Sequence, residues 1–341
     1  MAFFKWNTGG GSKPKERLRT KTPLEEHIEI ARQAVTFEGK RAPDAESRET
    51  LLRAEEDTCT YLERLGFPEA AVRIRGALFG DKVFIFTGFS TKNPFTEEDE
   101  RIELDGFYSW EHNAIAINES VIERGGQATL YKVAVHELIH KASFLSEERT
   151  LHAVEQKGLT QLRRQGGFDI STEVPGVEYS TAAAGGRFGF LNEGFTETVA
   201  SMIDPSEWNR PHPYHPNRYL IEVLLRALVA GRQAKGERYT LHDAWALLAT
   251  DYFKNTFTFA KEIEELCGTG TFSKLARITT LEQAEDVVAT IAERAGIFYT
   301  PGSLKEMQEA PRGGNQLALL KRMEDETARA ALSLPPQKMA A

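Results

Sequence analysis

Apolar residues recur at helical spacing in two early segments of the chain. The sequence TPLE, at the start of the first segment, combines a cap residue, a proline at the first helical position and an acid three residues after the cap, which predicts a helix over about residues 22–37. A second helix follows Pro43 and Asp44 and is expected to end near Gly66. Its apolar positions keep helical spacing and favour an inert, buried cysteine: Leu51, Leu52, Cys59, Leu62 and Leu65.

Further along, the apolar period changes from that of a helix to that of a strand. Residues 72–74 and 83–86 flank Gly80 and Asp81, which is typical of a hairpin. The alternating segment 114–117 (AIAI) predicts another strand. A small, mostly antiparallel sheet is therefore expected in this part of the chain.

A long helical pattern then runs over about residues 127–144, and most of the chain beyond it has helical periodicity. The exception is an insertion, residues 146–189, in which 147–164 are helical in pattern and 165–189 are rich in Gly, Ser, Thr and Ala. Long loops in compact domains are usually functional or mobile, so the insertion is interpreted either as a lid or as a surface insertion. The order helices, sheet, helices predicts an α+β fold.

The elements divide the chain into regions. We expect a flexible leader over residues 1–21, an N-terminal helical region over 22–70, a central part over 71–220 that contains the insertion, and a helical C-terminal region over 221–341. No internal repeat supports a solenoid or a propeller.

Composition removes several classes of protein. The 341 residues are 41% hydrophobic and 27% charged, which excludes wholesale disorder and a membrane bundle. Acidic residues outnumber basic ones, 50 to 42, along the whole chain, so no nucleic-acid partner is expected. The most apolar window, 219–231, is too short to span a bilayer and contains Glu222 and Arg226, and no secretory signal is visible. We therefore expect a cytoplasmic protein without membrane contact.

Two cysteines are too few for a disulfide framework or a thiolate zinc site, although a single bridge is formally possible. A metal site must therefore use His and carboxylate ligands. In the predicted helix 127–144, His136 and His140 are four residues apart, which places both rings on one face and within reach of one ion. Glu137 follows the first histidine and can reach a water on the same ion. The alternative is a pair of ordinary histidines in a half-buried helix, but the uncharged flanking residues favour a polar stripe that faces a cleft.

A catalytic zinc normally takes three protein ligands and keeps one position for water. The segment LNEGFTE, residues 191–197, carries two carboxylates four residues apart. We expect Glu193 to bind the ion and Glu197 to contact the free ring nitrogen of a histidine ligand. Imidazole and carboxylate ligands suit Zn²⁺, which is the predicted cofactor.

The pair HELIH and LNEGFTET resembles the gluzincin metallopeptidases, the thermolysin and aminopeptidase N group, in which Asn-Glu-x-x-x-(Asp/Glu) follows His-Glu-x-x-His. The segment DGFYSWEHNAIAIN is similar to the strand that edges the cleft in many zincins. The resemblance covers about residues 100–220. It implies a zincin-like fold with a small, mostly antiparallel sheet and an active-site helix, with residues 71–220 as the catalytic core.

Three departures from the family pattern are visible. Between His140 and Glu193 lie 52 residues, far more than the compact family spacing. Lys141 stands where zinc peptidases usually carry an uncharged residue. There is no Gly-x-Met-Glu-Asn segment, which favours an endopeptidase or a specialised peptidase over a broad aminopeptidase.

Gluzincins commonly place a Tyr or His after the third ligand to stabilise the oxyanion. Tyr219 is the first candidate here and Tyr214 the second, while His212 and His215 are further possible donors. Tyr179 in the insertion is a weaker one. The alternative is that the prolines of this stretch form a rigid turn in which the rings only pack.

The predicted function is zinc-dependent hydrolysis of peptide bonds, with Glu137 as the general base that takes a proton from water and passes it to the leaving amine. The substrate is a peptide or protein that pairs as an added strand with Ala114, Ile115 and Ala116.

Two alternatives to a general peptidase remain open, and no oligomeric state is predicted. One is a non-catalytic zinc-binding module for peptides or proteins, whose metal site His152 or His215 would close. The other is a regulatory protease with a single protein partner. The C-terminal aromatic residues would bind that partner or, as is more common at this spacing, form core: Trp245, Tyr252, Phe253, Phe257 and Phe259.

Overall fold

The computed structural model describes residues 35–79, 82–92, 99–101, 105–109, 113–154, 157–173, 188–204 and 214–309. The predicted leader and the candidates Tyr179 and His212 lie outside the described residues, and so do most of the helix predicted over 22–37 and the turn pair at 80–81.

Helices make up most of the described chain. In chain order they are α1 (Ala45–Arg64), α2 (Pro68–Ile74), α3 (Glu119–Ala142), α4 (Gly189–Ile203), α5 (His215–Ala234), α6 (Leu241–Lys254), α7 (Thr258–Cys267), α8 (Thr271–Leu275), α9 (Leu281–Ala295) and α10 (Ser303–Glu309). The strands are β1 (Val35–Glu38), β2 (Val83–Phe86), β3 (Gly88–Lys92), β4 (Asp99–Arg101), β5 (Gly106–Ser109), β6 (Ala114–Asn118), β7 (Leu145–Val154), β8 (Lys157–Gly166) and β9 (Asp169–Glu173).

The described strands form three small sheets, with the orders β1-β3-β4, β2-β6-β5 and β7-β8-β9. In the second sheet β6 pairs in parallel with β2, placing Ile115 opposite Val83, and antiparallel with β5, placing Ile115 opposite Tyr108. All other described strand pairs are antiparallel. Helices and a small mixed sheet confirm the predicted α+β class.

Helix α3 lies at the centre of this arrangement and contacts β5, β6, α1, α2 and α4. It begins earlier than the predicted 127, because the side chain of Asn118 caps it by accepting from the N–H of Ser120 at 3.0 Å. A kink at Gly126, where φ is 63° and ψ −155°, separates the first turns from the part that carries the histidines. Such a positive φ suits glycine, which explains why the helical pattern of apolar residues begins only after Gly126 in the sequence.

The structure confirms the predicted helix that follows Asp44 and the predicted strand over 114–117, and it corrects two other elements near them. Residues Val72 and Ile74 belong to α2 and form no hairpin strand, since Pro68 starts a short helix whose alanines pack inward. The end of the helix predicted over 22–37 is also wrong, because Val35–Glu38 form β1, which pairs with β3.

The helical pattern predicted for residues 147–164 is wrong. This stretch forms most of β7 and β8, which pair along their whole length. The backbone register sets position 147, a glutamate, opposite 164, an arginine, and position 148 opposite 163 in the same way. Opposite charges at paired positions favour an antiparallel pair, and spacing along one segment does not reveal such pairing.

One continuous core joins the N-terminal and C-terminal helices through α3 and α4. It contains buried residues from each of them, such as Leu51, Leu138, Phe195, Leu224 and Ile291. The C-terminal aromatic residues agree with their interpretation as core residues. Phe257 is half-buried, and the other four are buried in this core: Trp245, Tyr252, Phe253 and Phe259. Within the described part of the chain, no helix is long and apolar enough to cross a lipid bilayer.

Candidate metal centre

Helix α3 presents His136 and His140 one turn apart, with Glu137 between them. The neighbouring residues Ala134, Val135, Leu138 and Ile139 are buried in the core, so the helix is packed on most sides. The side chains of His136 and His140 retain 11% and 17% exposure. The two rings meet edge to face with centroids 4.8 Å apart, and their Nε2 atoms lie 3.0 Å from each other.

Helix α4 carries the two carboxylates predicted to complete the site. It approaches α5 closely at Gly194, where an added Cβ would lie 2.4 Å from the carbonyl oxygen of Asn217. This close approach requires glycine between the two acidic positions of the helix. The contact fixes the position of Glu193, the preceding residue, relative to the N-terminal turn of α5.

Three potential ligands converge on one point. Glu193 Oε2 lies 3.2 Å from Nε2 of His136, and its Oε1 lies 3.4 Å from Nε2 of His140. When one ligand atom is taken from each residue, the three atoms lie within 4.8 Å of one another, which allows a single ion to contact all three. Among the described residues, this group of three is the one whose His, Cys, Asp or Glu ligand atoms are close enough to hold an ion.

The pKa values of the histidines and carboxylates in the site depend strongly on one another. Burial would lower the pKa of His136, but hydrogen bonds with Glu193 and Glu197 outweigh it and hold that pKa well above its ordinary value. Burial would raise the pKa of Glu193, and the two histidines reverse this and hold it well below its ordinary value. The site therefore favours a carboxylate that faces positive charge, which is the environment that a bound cation also supplies.

Glu197 lies behind the site. Its Oε2 accepts from Nδ1 of His136 at 3.2 Å, and its Oε1 accepts from the hydroxyl of Ser201 at 3.4 Å. Both carboxylate oxygens are thus engaged, and the His136 ring is held so that Nε2 faces Glu193. This is the arrangement in which a histidine ligand is oriented by an outer carboxylate.

Glu137 is buried beside the edge of the second sheet. Its carboxylate accepts from the backbone N–H of Tyr108 in β5. An added Cβ at Gly106 would lie 2.9 Å from Oε1 of Glu137 and 2.5 Å from Cγ1 of Val133, so the strand packs directly on this part of α3. Burial raises the pKa of Glu137 against the opposing effect of His136 and His140.

The two tyrosines predicted to stabilise an oxyanion occupy different places. Tyr214, at the start of α5, stacks on His136 with ring centroids 5.4 Å apart and an interplanar angle of 12°. Burial and the nearby carboxylates of the site raise its pKa. Tyr219 is buried in the core, where its ring lies 6.2 Å from that of Tyr299. The structure therefore brings Tyr214, the second choice, to the candidate ligands.

Of the two histidines named as a possible fourth ligand, the structure describes the side chain of His215 alone. His215 is buried at the start of α5 and is not a member of the three-ligand group. His152 lies in β7, where its side chain is outside the described atoms.

The predicted pairing of a substrate with Ala114, Ile115 and Ala116 needs correction. These residues belong to β6, which is the middle strand of its sheet, and both of its edges are already paired, one with β2 and one with β5. An added strand cannot use backbone groups that neighbouring strands occupy. The strand next to Glu137 is β5, which is an edge strand of this sheet as described.

Lys141, the departure from the family pattern, is buried. Its ammonium contacts the side-chain oxygen of Asn113 and lies 5.1 Å from the ring centroid of Tyr108. Burial lowers the pKa of Lys141 and raises that of Tyr108 to about 12. Lys141 therefore links helix α3, which carries the histidines, to Tyr108 and Asn113, one on each side of the β5–β6 connection.

Sequence reasoning missed three residues around His140. Nδ1 of this ring lies 3.4 Å from Nδ2 of Asn192 and 3.5 Å from the hydroxyl of Thr196, and that hydroxyl lies 2.9 Å from the hydroxyl of Tyr252. Asn192 and Thr196 lie within LNEGFTE, so the motif itself was a signal for them. Tyr252 is far away in the sequence, and no local pattern identifies it.

No protein-family model, curated protein or solved structure matches the chain.

Proposed function

We propose that this protein is a zinc-dependent metallopeptidase, a gluzincin-like hydrolase that cleaves peptide bonds with Glu137 as general base. The observation that carries the proposal is the convergence of His136, His140 and Glu193, with donor atoms 3.0 to 3.4 Å apart, next to a buried glutamate. The strand β5, the helix α3 and the helix α4 around this point support a zincin-like arrangement.

The donor set favours zinc in an open site. Two imidazoles and one carboxylate are borderline ligands that suit Zn²⁺, and three protein ligands leave a position for water. Among the described residues no fourth His, Cys, Asp or Glu joins the group, which supports a catalytic rather than a closed structural site. When bound, the metal supplies a Lewis acid and lowers the pKa of a water ligand.

Glu137 is the residue that moves protons. Burial raises its pKa, and a higher pKa makes the carboxylate a stronger base for accepting a proton from water and returning it to a leaving amine. The N–H of Tyr108 holds the carboxylate against β5, which orients it. His136 and His140 oppose the rise of the pKa, and the hydrogen bond from Tyr108 opposes it to a smaller extent.

Tyr214 is the donor that we assign to the developing oxyanion. A tyrosine phenol is protonated at neutral pH, as a hydrogen-bond donor requires, and burial raises the pKa of Tyr214 further. Its ring stacks on His136, which places the phenol beside the candidate ligands.

A peptide substrate is expected to lie along β5. Within the described residues this strand is paired on one side, with β6, and its other side has no described partner strand. An extended peptide that adds to such an edge would form backbone hydrogen bonds next to Glu137, using the backbone groups of β5 other than the N–H of Tyr108, which Glu137 already engages. The pairing hypothesis made for Ala114, Ile115 and Ala116 therefore moves to Gly106–Ser109.

Metal analysis and cleavage mapping test the proposal together. The purified protein should contain about one zinc per chain and cleave members of a peptide library, with the cut sites identified by mass spectrometry. Glu137→Gln should retain zinc and lose about 10²- to 10⁴-fold in kcat, since general acid-base catalysis contributes that much. Glu119→Gln is a matched control on the same helix, where the carboxylate forms a half-exposed ion pair with Arg41 at 2.6 Å.

Three outcomes separate the candidate functions. Cleavage of many peptides, abolished in Glu137→Gln, supports the peptidase. Cleavage of one protein and no short peptide supports the partner-specific form of the same enzyme. Zinc binding without hydrolysis by the wild type contradicts the proposal and supports the non-catalytic module.

A further inference from the structure

The hydroxyl of Tyr252 lies behind the candidate metal centre. This residue belongs to α6, in the helical region beyond the family resemblance, and its side chain is fully buried. Its hydroxyl is 2.9 Å from that of Thr196, which in turn is 3.5 Å from Nδ1 of His140. A continuous polar connection therefore joins the C-terminal helices to a candidate metal ligand.

The chemistry of the His140 ring decides which neighbour matters. A neutral histidine that binds an ion through Nε2 carries its proton on Nδ1, and that N–H needs an acceptor. Asn192 is not suited to this, because its Oδ1 accepts from the backbone N–H of Phe168 at 3.1 Å and its Nδ2 therefore faces His140. An amide nitrogen donates and does not accept. The hydroxyl of Thr196 is the acceptor that the described structure offers.

Tyr252 completes the hydrogen bonding of that hydroxyl. A threonine hydroxyl that accepts from His140 still has its own proton to donate, and the oxygen of Tyr252 lies within reach of it. In a chain of this kind each hydrogen bond polarises the next, so the tyrosine strengthens the acceptor that faces the histidine.

Packing holds the phenol of Tyr252 in place. Its ring centroid lies 4.2 Å from that of Phe195 and 5.2 Å from that of Phe168. Its backbone carbonyl also accepts from the N–H of Phe144 at 3.1 Å. The hydroxyl therefore has a fixed position relative to α4, on which Thr196 lies.

We propose that Thr196 and Tyr252 are positioning residues, which orient His140 for metal binding by accepting its Nδ1–H and supporting that acceptor. The inference rests on the metal site of the proposed function. It assigns the C-terminal helical region a part in the metal centre, beyond its contribution to the core.

Zinc affinity and thermal unfolding distinguish positioning from simple packing. Zinc affinity is measured by competition with a chromophoric chelator, and the unfolding temperature is measured on the metal-free protein. Thr196→Val should weaken zinc binding about 10-fold, the lower end of the usual effect of removing a partner of a ligating histidine. Tyr252→Phe should weaken it less, in the same direction. Thr196→Ser, which keeps the hydroxyl, should bind zinc like the wild type.

Tyr131→Phe is the matched control. It removes a buried tyrosine hydroxyl on α3, which donates to Asp57 at 2.7 Å, and it should lower the unfolding temperature without changing zinc affinity. If Thr196→Val and Tyr252→Phe behave in the same way as this control, the inference is overturned. A visible absorption band of the Co²⁺-loaded protein that shifts in Thr196→Val and not in Tyr131→Phe supports it.

Failure of the proposed function gives a different result. If the wild type binds no zinc, or His136→Ala binds it as tightly as the wild type, the metal site itself is wrong and the inference falls with it. If the wild type binds zinc through His136 and the Thr196 and Tyr252 variants keep full affinity, the metal site stands and the positioning role alone is rejected.

Discussion

The carboxylate of Glu197 lies 3.2 Å from Nδ1 of His136, on the opposite side of the ring from Glu193. The ring is therefore held between two acids, and its Nδ1–H is committed to Glu197. Such an arrangement fixes the orientation of the ring, with Nε2 towards Glu193, before any ion arrives. Because the His136 ring is already oriented, it would lose little side-chain entropy when an ion binds.

Glu197→Gln should weaken zinc binding about 10- to 100-fold, the usual cost of changing an outer partner of a ligating histidine. An amide oxygen still accepts from His136, but it lacks the charge that stabilises the ring. Isothermal titration of zinc into the metal-free protein measures the effect. Glu222→Gln, which removes an ion pair with Arg226 on α5, is the control and should bind zinc normally. Equal affinities in the two variants would contradict the role of Glu197.

Gly194→Ala should destabilise the protein by about 1–3 kcal/mol, the usual cost of overpacking. An added Cβ would meet the backbone of Asn217, which cannot move as a flexible side chain does. Chemical denaturation measures the stability, and zinc affinity should fall as well because α4 must shift with Glu193. Gly189→Ala, at the start of the same helix with open space around it, should change neither quantity appreciably. A Gly194→Ala variant as stable as the wild type would show that α4 and α5 are farther apart than described.

The parts of the site that lie within one motif were predictable from the sequence. His136, Glu137 and His140 share a helix, so their spacing alone brought them together. The position of Glu193 relative to these three residues depends on how two helices pack. Periodicity does not predict that packing, and the resemblance to a family motif did. The strand over Ala114–Ala116 was predicted correctly, but its expected pairing with a substrate conflicts with the sheet for a physical reason: alternation identifies a strand and does not tell which neighbours pair with it.

Contacts between distant segments were beyond sequence reasoning. Tyr252 and Thr196 are separated by 56 positions, and nothing in the pattern around Tyr252 distinguishes it from any other core aromatic residue. Similarly, Tyr214 and Tyr219 follow the third ligand almost equally closely. The start of α5 places the first against His136, while the second packs against Tyr299.

Zinc should raise the unfolding temperature of the metal-free protein, because a ligand that binds the folded state alone stabilises it. At a free zinc concentration of 100 times Kd the gain is about 2.7 kcal/mol. Differential scanning calorimetry with and without a chelator measures the shift. Magnesium at the same concentration should give none, since it prefers an octahedron of oxygen ligands. A zinc-induced shift that persists in His140→Ala would place the ion elsewhere.

Lys141→Met should lower kcat by about 10-fold and leave zinc affinity unchanged. The ammonium holds Asn113 and the ring of Tyr108, and the N–H of Tyr108 in turn holds the carboxylate of Glu137. Without it, β5 and the base lose their alignment, and small misplacements of catalytic groups are costly in rate. The metal ligands do not depend on this contact, so binding should persist.

Steady-state kinetics on a cleaved peptide, together with zinc titration, separate the two effects of Lys141→Met. Methionine fills a volume similar to that of the lysine stem, so the fold should be retained, as circular dichroism would verify. Lys132→Met, on the same helix, is the control for removing one positive charge. If both variants keep the wild-type kcat, the β5–β6 connection positions Glu137 without help from Lys141. If Lys141→Met loses zinc together with activity, the lysine supports the metal ligands rather than the base.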